Sequence, residues 1–204
     1  MRDTQCTLKL SRDDLNEFFE NEFAFYRLPR ERISDLLLAQ LYVCRNLRIH
    51  SFYDITDEIQ YLEGISTRTK TEKERPFTRV FLNGLWKKHF FSARFIPRNL
   101  RNYLSSTTGR KAFEDCISEA FSQNQGDFID DKTLNKISYF VTFGAFERKS
   151  ALTGEWIIFG KYNSQNYYLS IASHREGDET IRNKILSMCS TQFPFLSELF
   201  VLRP

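Results

Sequence analysis

The side chains best suited to move a proton near neutral pH are this chain's three histidines, His50, His89 and His174. His174 closes a β-rich run and precedes Arg175-Glu176-Gly177-Asp178, and a strand end is a common place for a general acid or base. His89 sits in G-L-W-K-K-H-F-F-S-A-R-F. On a helix, Lys87 and Arg94 are seven residues apart and lie nearly together, while Trp86 precedes His89 by three. Those parts match the needs of RNA cleavage. An imidazole moves the proton, a cation stabilises the phosphorane, and an aromatic ring stacks a base. His50 follows Arg45 by five residues in R-N-L-R-I-H. Each histidine also has a plain reading: a strand cap, the basic edge of an aromatic helix, or a polar helix end.

The element that must position His174 is the stretch Thr153–His174, two β-rich runs around a short polar turn. A loop over Tyr162 to Gln165 places Lys161 opposite Asn166. The same register sets Phe159 against Tyr168, Ile157 against Ser170, Glu155 against Ala172 and Thr153 against His174. One face is then apolar, with Trp156, Ile158, Leu169 and Ile171. The other gathers Thr153, Glu155, Lys161, Tyr168, Ser170 and His174. Thr153 can hydrogen-bond the imidazole, Glu155 can orient it, Lys161 can stabilise a phosphorane, and Tyr168 or Trp86 can stack a base. A one-residue slip would scatter this set, and an ordinary half-exposed hairpin shows the same alternation.

Ahead of that hairpin the pattern is helical. Ser11 is an N-cap, with Asp13 and Asp14 in the first turn and Leu15, Phe18, Phe19 and Phe23 at helical spacing. Ile33, Leu36, Leu37, Leu41 and Cys44 mark a second helix, and Ile55, Ile59 and Leu62 a third that ends at Gly64. Residues 65–79 are polar, charged and without period, which predicts a mobile loop or linker. Leu82, Leu85, Trp86, His89 and Phe90 fit another helix, as do the apolar positions between Arg110 and Gln123. Residues 134–148 fit both periods, with helix preferred. A last helix follows Gly177-Asp178. The expected fold is α+β, with a mostly helical N-terminal two-thirds and a C-terminal antiparallel β-hairpin or small sheet. Its parts are a helical region at 1–64, a basic loop or linker at 65–79, and helices plus hairpin at 80–204 that form one compact domain with the N-terminal part.

Charge points to a partner. Arg68, Lys70, Lys73, Arg75, Arg79, Lys87, Lys88, Arg94, Arg98 and Arg101 are opposed in their segment only by Glu72 and Glu74, in a chain whose net charge is +3. A polyanion is the natural ligand of such a segment, and RNA the first expectation, with Arg68, Lys70, Lys73, Arg75, Arg79, Lys88, Arg98 and Arg101 on its backbone. A solvated loop and helix face would have the same composition. The four cysteines are widely spaced and the histidines do not pair at helical spacing, so neither a disulfide framework nor a metal site is expected. No phosphate-binding loop, dinucleotide fingerprint or nucleophile elbow occurs, and no cofactor is expected. No apolar run approaches a membrane span and the start has no apolar leader, so a cytoplasmic protein is expected.

Gly84–Asn99 and Leu152–His174 resemble stretches of a group of poorly characterised bacterial proteins. The helices-then-sheet organisation is similar to the barnase–EndoU–colicin–RelE superfamily of metal-independent ribonucleases, many of them toxins. That resemblance implies a C-terminal antiparallel sheet and His, Lys, Arg, Tyr, Ser or Thr as the working side chains. Separately, Arg45 to His50 resembles the motif of HEPN ribonucleases, all-helical proteins that cleave RNA at a dimer mouth. It implies that Arg45 holds the phosphate and His50 is the base. The leading expectation is a metal-independent endoribonuclease, such as a toxin or phage-defence effector. The competing one is a non-catalytic interaction protein: an antitoxin, immunity protein or phage-encoded inhibitor docking a cognate or host protein through its Phe-rich surface.

Overall fold

The structure is a computed structural model, and it describes residues 9–47, 51–69, 71–90, 101, 103–122, 130–140, 155–173 and 175–200. Helix α1 (Arg12–Asn21) begins at a reciprocal cap. Ser11 Oγ accepts from the Asp14 N–H, and the Asp14 carboxylate accepts from the Ser11 N–H at 2.7 Å. Those bonds to Ser11 hold the Asp14 carboxyl below its ordinary range. Helices α2 (Asp35–Leu47) and α3 (Phe52–Leu62) follow. Further on, α4 (Thr107–Ser122) and α5 (Asp131–Tyr139) pack on each other. Thr133 Oγ1 donates to the Ala120 carbonyl, and Lys136 pairs with Glu119 at 2.6 Å. The preference for helix at 134–148 corresponds to α5 as far as Tyr139, and residues 141–148 lie outside the described residues. Helices α6 (Asp178–Cys189) and α7 (Leu196–Leu199) end the described chain.

The sheet overturns the expected architecture. It has four antiparallel strands in the order β1 (Arg75–Pro76), β2 (Leu85–Phe90), β3 (Glu155–Tyr162) and β4 (Gln165–Ala172). Half of it therefore comes from the middle of the chain, and it is not a C-terminal hairpin alone. Of the predicted helix over Leu82–Phe90, Leu82 ends a 3₁₀ turn and Leu85–Phe90 is strand β2. Leu85, Lys87 and His89 alternate with Trp86, Lys88 and Phe90 across it, paired from Gly160 to Glu155 of β3. Six residues are too few for the period to distinguish helix from strand, and non-local pairing decides. Gly84 enters β2 at φ +93°, where a Cβ would stand 2.2 Å from the Leu199 carbonyl oxygen. The expected linker is also structured: β1 pairs with β2, and Phe77 is buried.

Both faces of the sheet are covered. Phe90, Ile157, Phe159, Tyr168 and Ile171 meet Leu37, Leu41, Ile55 and Ile59 of α2 and α3 on one side. Leu85, Trp156, Ile158, Leu169 and Ala172 meet Ile181, Ile185 and Cys189 of α6, with Phe193 and Leu196, on the other. The expected division into an apolar and a titratable face is thus wrong. The turn is as read: Tyr162 pairs with Gln165 and Lys161 with Asn166, around Asn163 (φ 48°) and Ser164 (φ 61°). Two positive φ angles make a type I′ turn, whose twist suits a hairpin. Phe159 faces Tyr168 as expected, but β4 then bulges, so Ile158 faces Ser170 and Ile157 faces Ile171. The bulge sends Leu169 and Ile171 into different cores. The outer edge of β4 is closed by Ser34, whose N–H donates to the Tyr168 carbonyl, and by Gln40 on the Ile171 backbone.

Candidate functional site

Two side chains expected to meet RNA, Lys88 and Tyr168, are bound into the structure instead. Lys88 is fully buried. Its ammonium lies 3.1 Å from Glu58 of α3, donates to Thr69 Oγ1 at 2.9 Å and to the Glu72 carbonyl at 2.5 Å, and sits over the Tyr61 ring. A buried ammonium needs such a full shell, because its desolvation is otherwise uncompensated. Tyr168 is fully buried and donates to Glu63 at 2.7 Å, while Arg32 forms a two-pronged pair with the same carboxylate. Burial first, and the Glu63 bond second, raise the Tyr168 hydroxyl far above its ordinary pKa, so it remains neutral. A ring so placed cannot stack a base. Glu155 is buried beside a cavity of about 200 Å³ that Gln40, Phe90, Ile171 and Glu176 also line. Ser170, expected on the titratable face, is buried and bonded to Gln40.

A different set converges on the outer half of β2. Lys87 and His89 are alternate residues, so they share a face about 6.6 Å apart along the strand. Both neighbour the Trp156 ring, which stands across from His89: the Lys87 ammonium is 4.8 Å from its centroid and the His89 ring 6.4 Å, edge-on. Phe77 supports the same ammonium at 5.0 Å. Arg75 stands directly across from Lys87 in β1, and Arg79 is close enough to act on it. Arg75 and Arg79 are exposed and pair with the half-buried carboxylates of Glu72 (2.9 Å) and Asp178 (3.3 Å). Burial, then the Arg79 charge, lower the Lys87 pKa, with Asp178 opposing and Arg75 adding to the shift. Like charges directly opposite in a sheet oppose folding. A polyanion laid across them would reverse the sign of that interaction.

Among the described residues, the other expected ones lie apart from this set. Lys161 covers the Trp86 ring at 3.7 Å and lies 3.8 Å from Glu74, on the side of the sheet away from His89. That cation occupies the ring face a base would need. Arg45 donates to Glu22 at 2.9 Å. Arg68, Lys73 and Arg101 are exposed. His50, Lys70, Arg94, Arg98, Thr153 and His174 lie outside the described residues. Trp156 and Asp178 were not anticipated as parts of the site; the sequence shows no signal for either before strand order is known. Glu58 was missed as well, although it stands among Ile55, Ile59 and Leu62 at core-facing helical spacing, and an acid there signals a buried cation.

Among the described residues, no group of three or more His, Cys, Asp or Glu side chains is gathered to hold a metal ion. No described helix is long and apolar enough to cross a membrane. The chain matches no protein-family model, and no curated protein or solved structure is significantly similar to it.

Proposed function

We propose that this protein binds RNA across Arg75, Arg79, Lys87 and His89 and cleaves it there as a metal-independent endoribonuclease. The observation that carries this reading is the pairing of Lys87 and His89 on one strand face beside two exposed arginines. In the cleavage step, His89 takes the proton of a ribose 2′-OH and the freed oxygen attacks the adjacent phosphorus. The bond from phosphorus to the 5′-oxygen breaks, and the Lys87 ammonium gives that oxygen a proton. The products are a 2′,3′-cyclic phosphate and a 5′-hydroxyl. A lysine of lowered pKa is a better proton donor than an ordinary one, and Arg75 and Arg79 stabilise the phosphorane charge. The antiparallel sheet disagrees with the all-helical HEPN fold, and its two mid-chain strands depart from the C-terminal sheet that the barnase–EndoU–colicin–RelE likeness implies. A toxin or phage-defence role, in the cytoplasm where RNA is at hand, follows from the same reading. The test is turnover of single-stranded RNA in EDTA: His89→Ala should lower the rate roughly 10²–10⁴-fold, and an unchanged rate would sink the mechanism.

A second reading rests on a separate surface. Phe23 is 84% exposed and Tyr26 64%, and their rings stack within 4° of parallel at 5.7 Å. An exposed aromatic pair supports the interaction-protein alternative, an antitoxin, immunity protein or inhibitor with a protein partner. A stable complex lost in Phe23→Ser, without RNA turnover by either variant, would favour it.

A further inference from the structure

We infer that the RNA taken by this site is single-stranded, with the base next to the Arg79-bound phosphate stacked on Phe81. The inference rests on the RNA reading of the Lys87–His89 face. Arg79 leads directly into the 3₁₀ turn Val80–Leu82, in which Leu82 is fully buried while Val80 is 68% and Phe81 44% exposed. Burying Leu82 fixes the turn, and the turn packs against α6, whose first residue, Asp178, holds Arg79. An exposed ring and an exposed guanidinium are thereby set two residues apart on a braced turn. Their Cα atoms are at most about 7.6 Å apart, which is the scale of one nucleotide step.

The chemistry selects the strand form. The other rings of the region are closed to a base: Trp156 and Phe77 are buried, and the Lys87 ammonium lies against both. Phe81 is the open ring beside the cations among the described residues. In a duplex the base faces are occupied by neighbouring pairs, and a protein ring meets only edges, sugars and phosphates. An unpaired base offers its face, and stacking it on an aromatic ring adds sequence-tolerant affinity to that of the phosphate contacts. Val80, 68% exposed on the same turn, supplies further apolar surface.

The probe is a 12-nucleotide RNA with 2′-O-methyl riboses, which lacks the nucleophile and so reports binding alone. Its affinity is measured by fluorescence anisotropy, single-stranded and annealed to its complement. The single strand should bind more tightly, Phe81→Ala should weaken it roughly 5- to 150-fold, and Phe81→Trp should retain it. Duplex affinity should be unchanged in Phe81→Ala. Equal affinity for the two forms, or an unchanged single-strand affinity in Phe81→Ala, overturns the inference while leaving the RNA reading intact. Binding of neither form overturns both. Thermal unfolding of each variant confirms that the exposed substitution leaves the fold in place.

Discussion

Lys87 and Lys88 are neighbours in sequence with opposite fates. Strand alternation sends the Lys88 side chain into the α3 side, where Glu58, Thr69 and two backbone carbonyls compensate it. Removing one partner leaves a charge buried without its counter-charge, so Lys88→Met should destabilise the protein by about 3–5 kcal/mol. The double replacement with Glu58→Leu should cost much less, because no lone charge remains. Urea unfolding of the two variants checks this, and equal losses would mean that the pair is not the source. Lys87 behaves in the opposite sense. Its folded pKa lies below the ordinary 10.5, so between the two values the unfolded chain binds more protons, and stability rises with pH across that window. Lys87→Met keeps the aliphatic stem on Phe77 and Trp156 and should flatten this rise. Unfolding curves at a series of alkaline pH values would show it, and a slope identical to that of the parent protein would contradict it.

At the scale of elements, the local signals were legible and the non-local ones were not. Ser11 with Asp14, the apolar stripes of α2 and α3, and the polar Asn163-Ser164 turn all act within a few residues, and each stands where the sequence placed it. The choice of strand at Leu85–Phe90 depends on partners about seventy residues away, Glu155 to Gly160, and the β4 bulge goes with the two cores that Leu169 and Ile171 enter on opposite faces. No periodicity within either segment contains that information. The bulge breaks the expected register, since it sets Ser170 opposite Ile158 and carries Ile171 to the other core. Gly84 is the element-scale test. Its φ of +93° and the nearby Leu199 carbonyl leave no room for a Cβ, so Gly84→Ala should cost more than about 1 kcal/mol. Calorimetry would detect that loss, and an unchanged melting temperature would contradict the placement of β2 against α7.

On the scale of the whole molecule, the sheet is held between two cores and spends most of its polar side chains on structure. Glu58 with Lys88, Glu63 with Arg32 and Tyr168, and Gln40 with the β4 edge join the helices to the strands. What the fold leaves at the surface of its outer half is a cationic face with His89 beside it. The uneven charge of residues 68–101 was visible in the sequence; which of those cations share a face with a histidine was not, because that needed the strand. The central claim is that this face cuts RNA by 2′-OH attack. Its most direct test is the end chemistry of RNA incubated with the protein in EDTA. The account predicts fragments ending in 2′,3′-cyclic phosphates with 5′-hydroxyls, and their loss in a Lys87→Met, His89→Ala double variant that still folds. RNA left intact by the parent protein, or cut equally by the double variant, would contradict it.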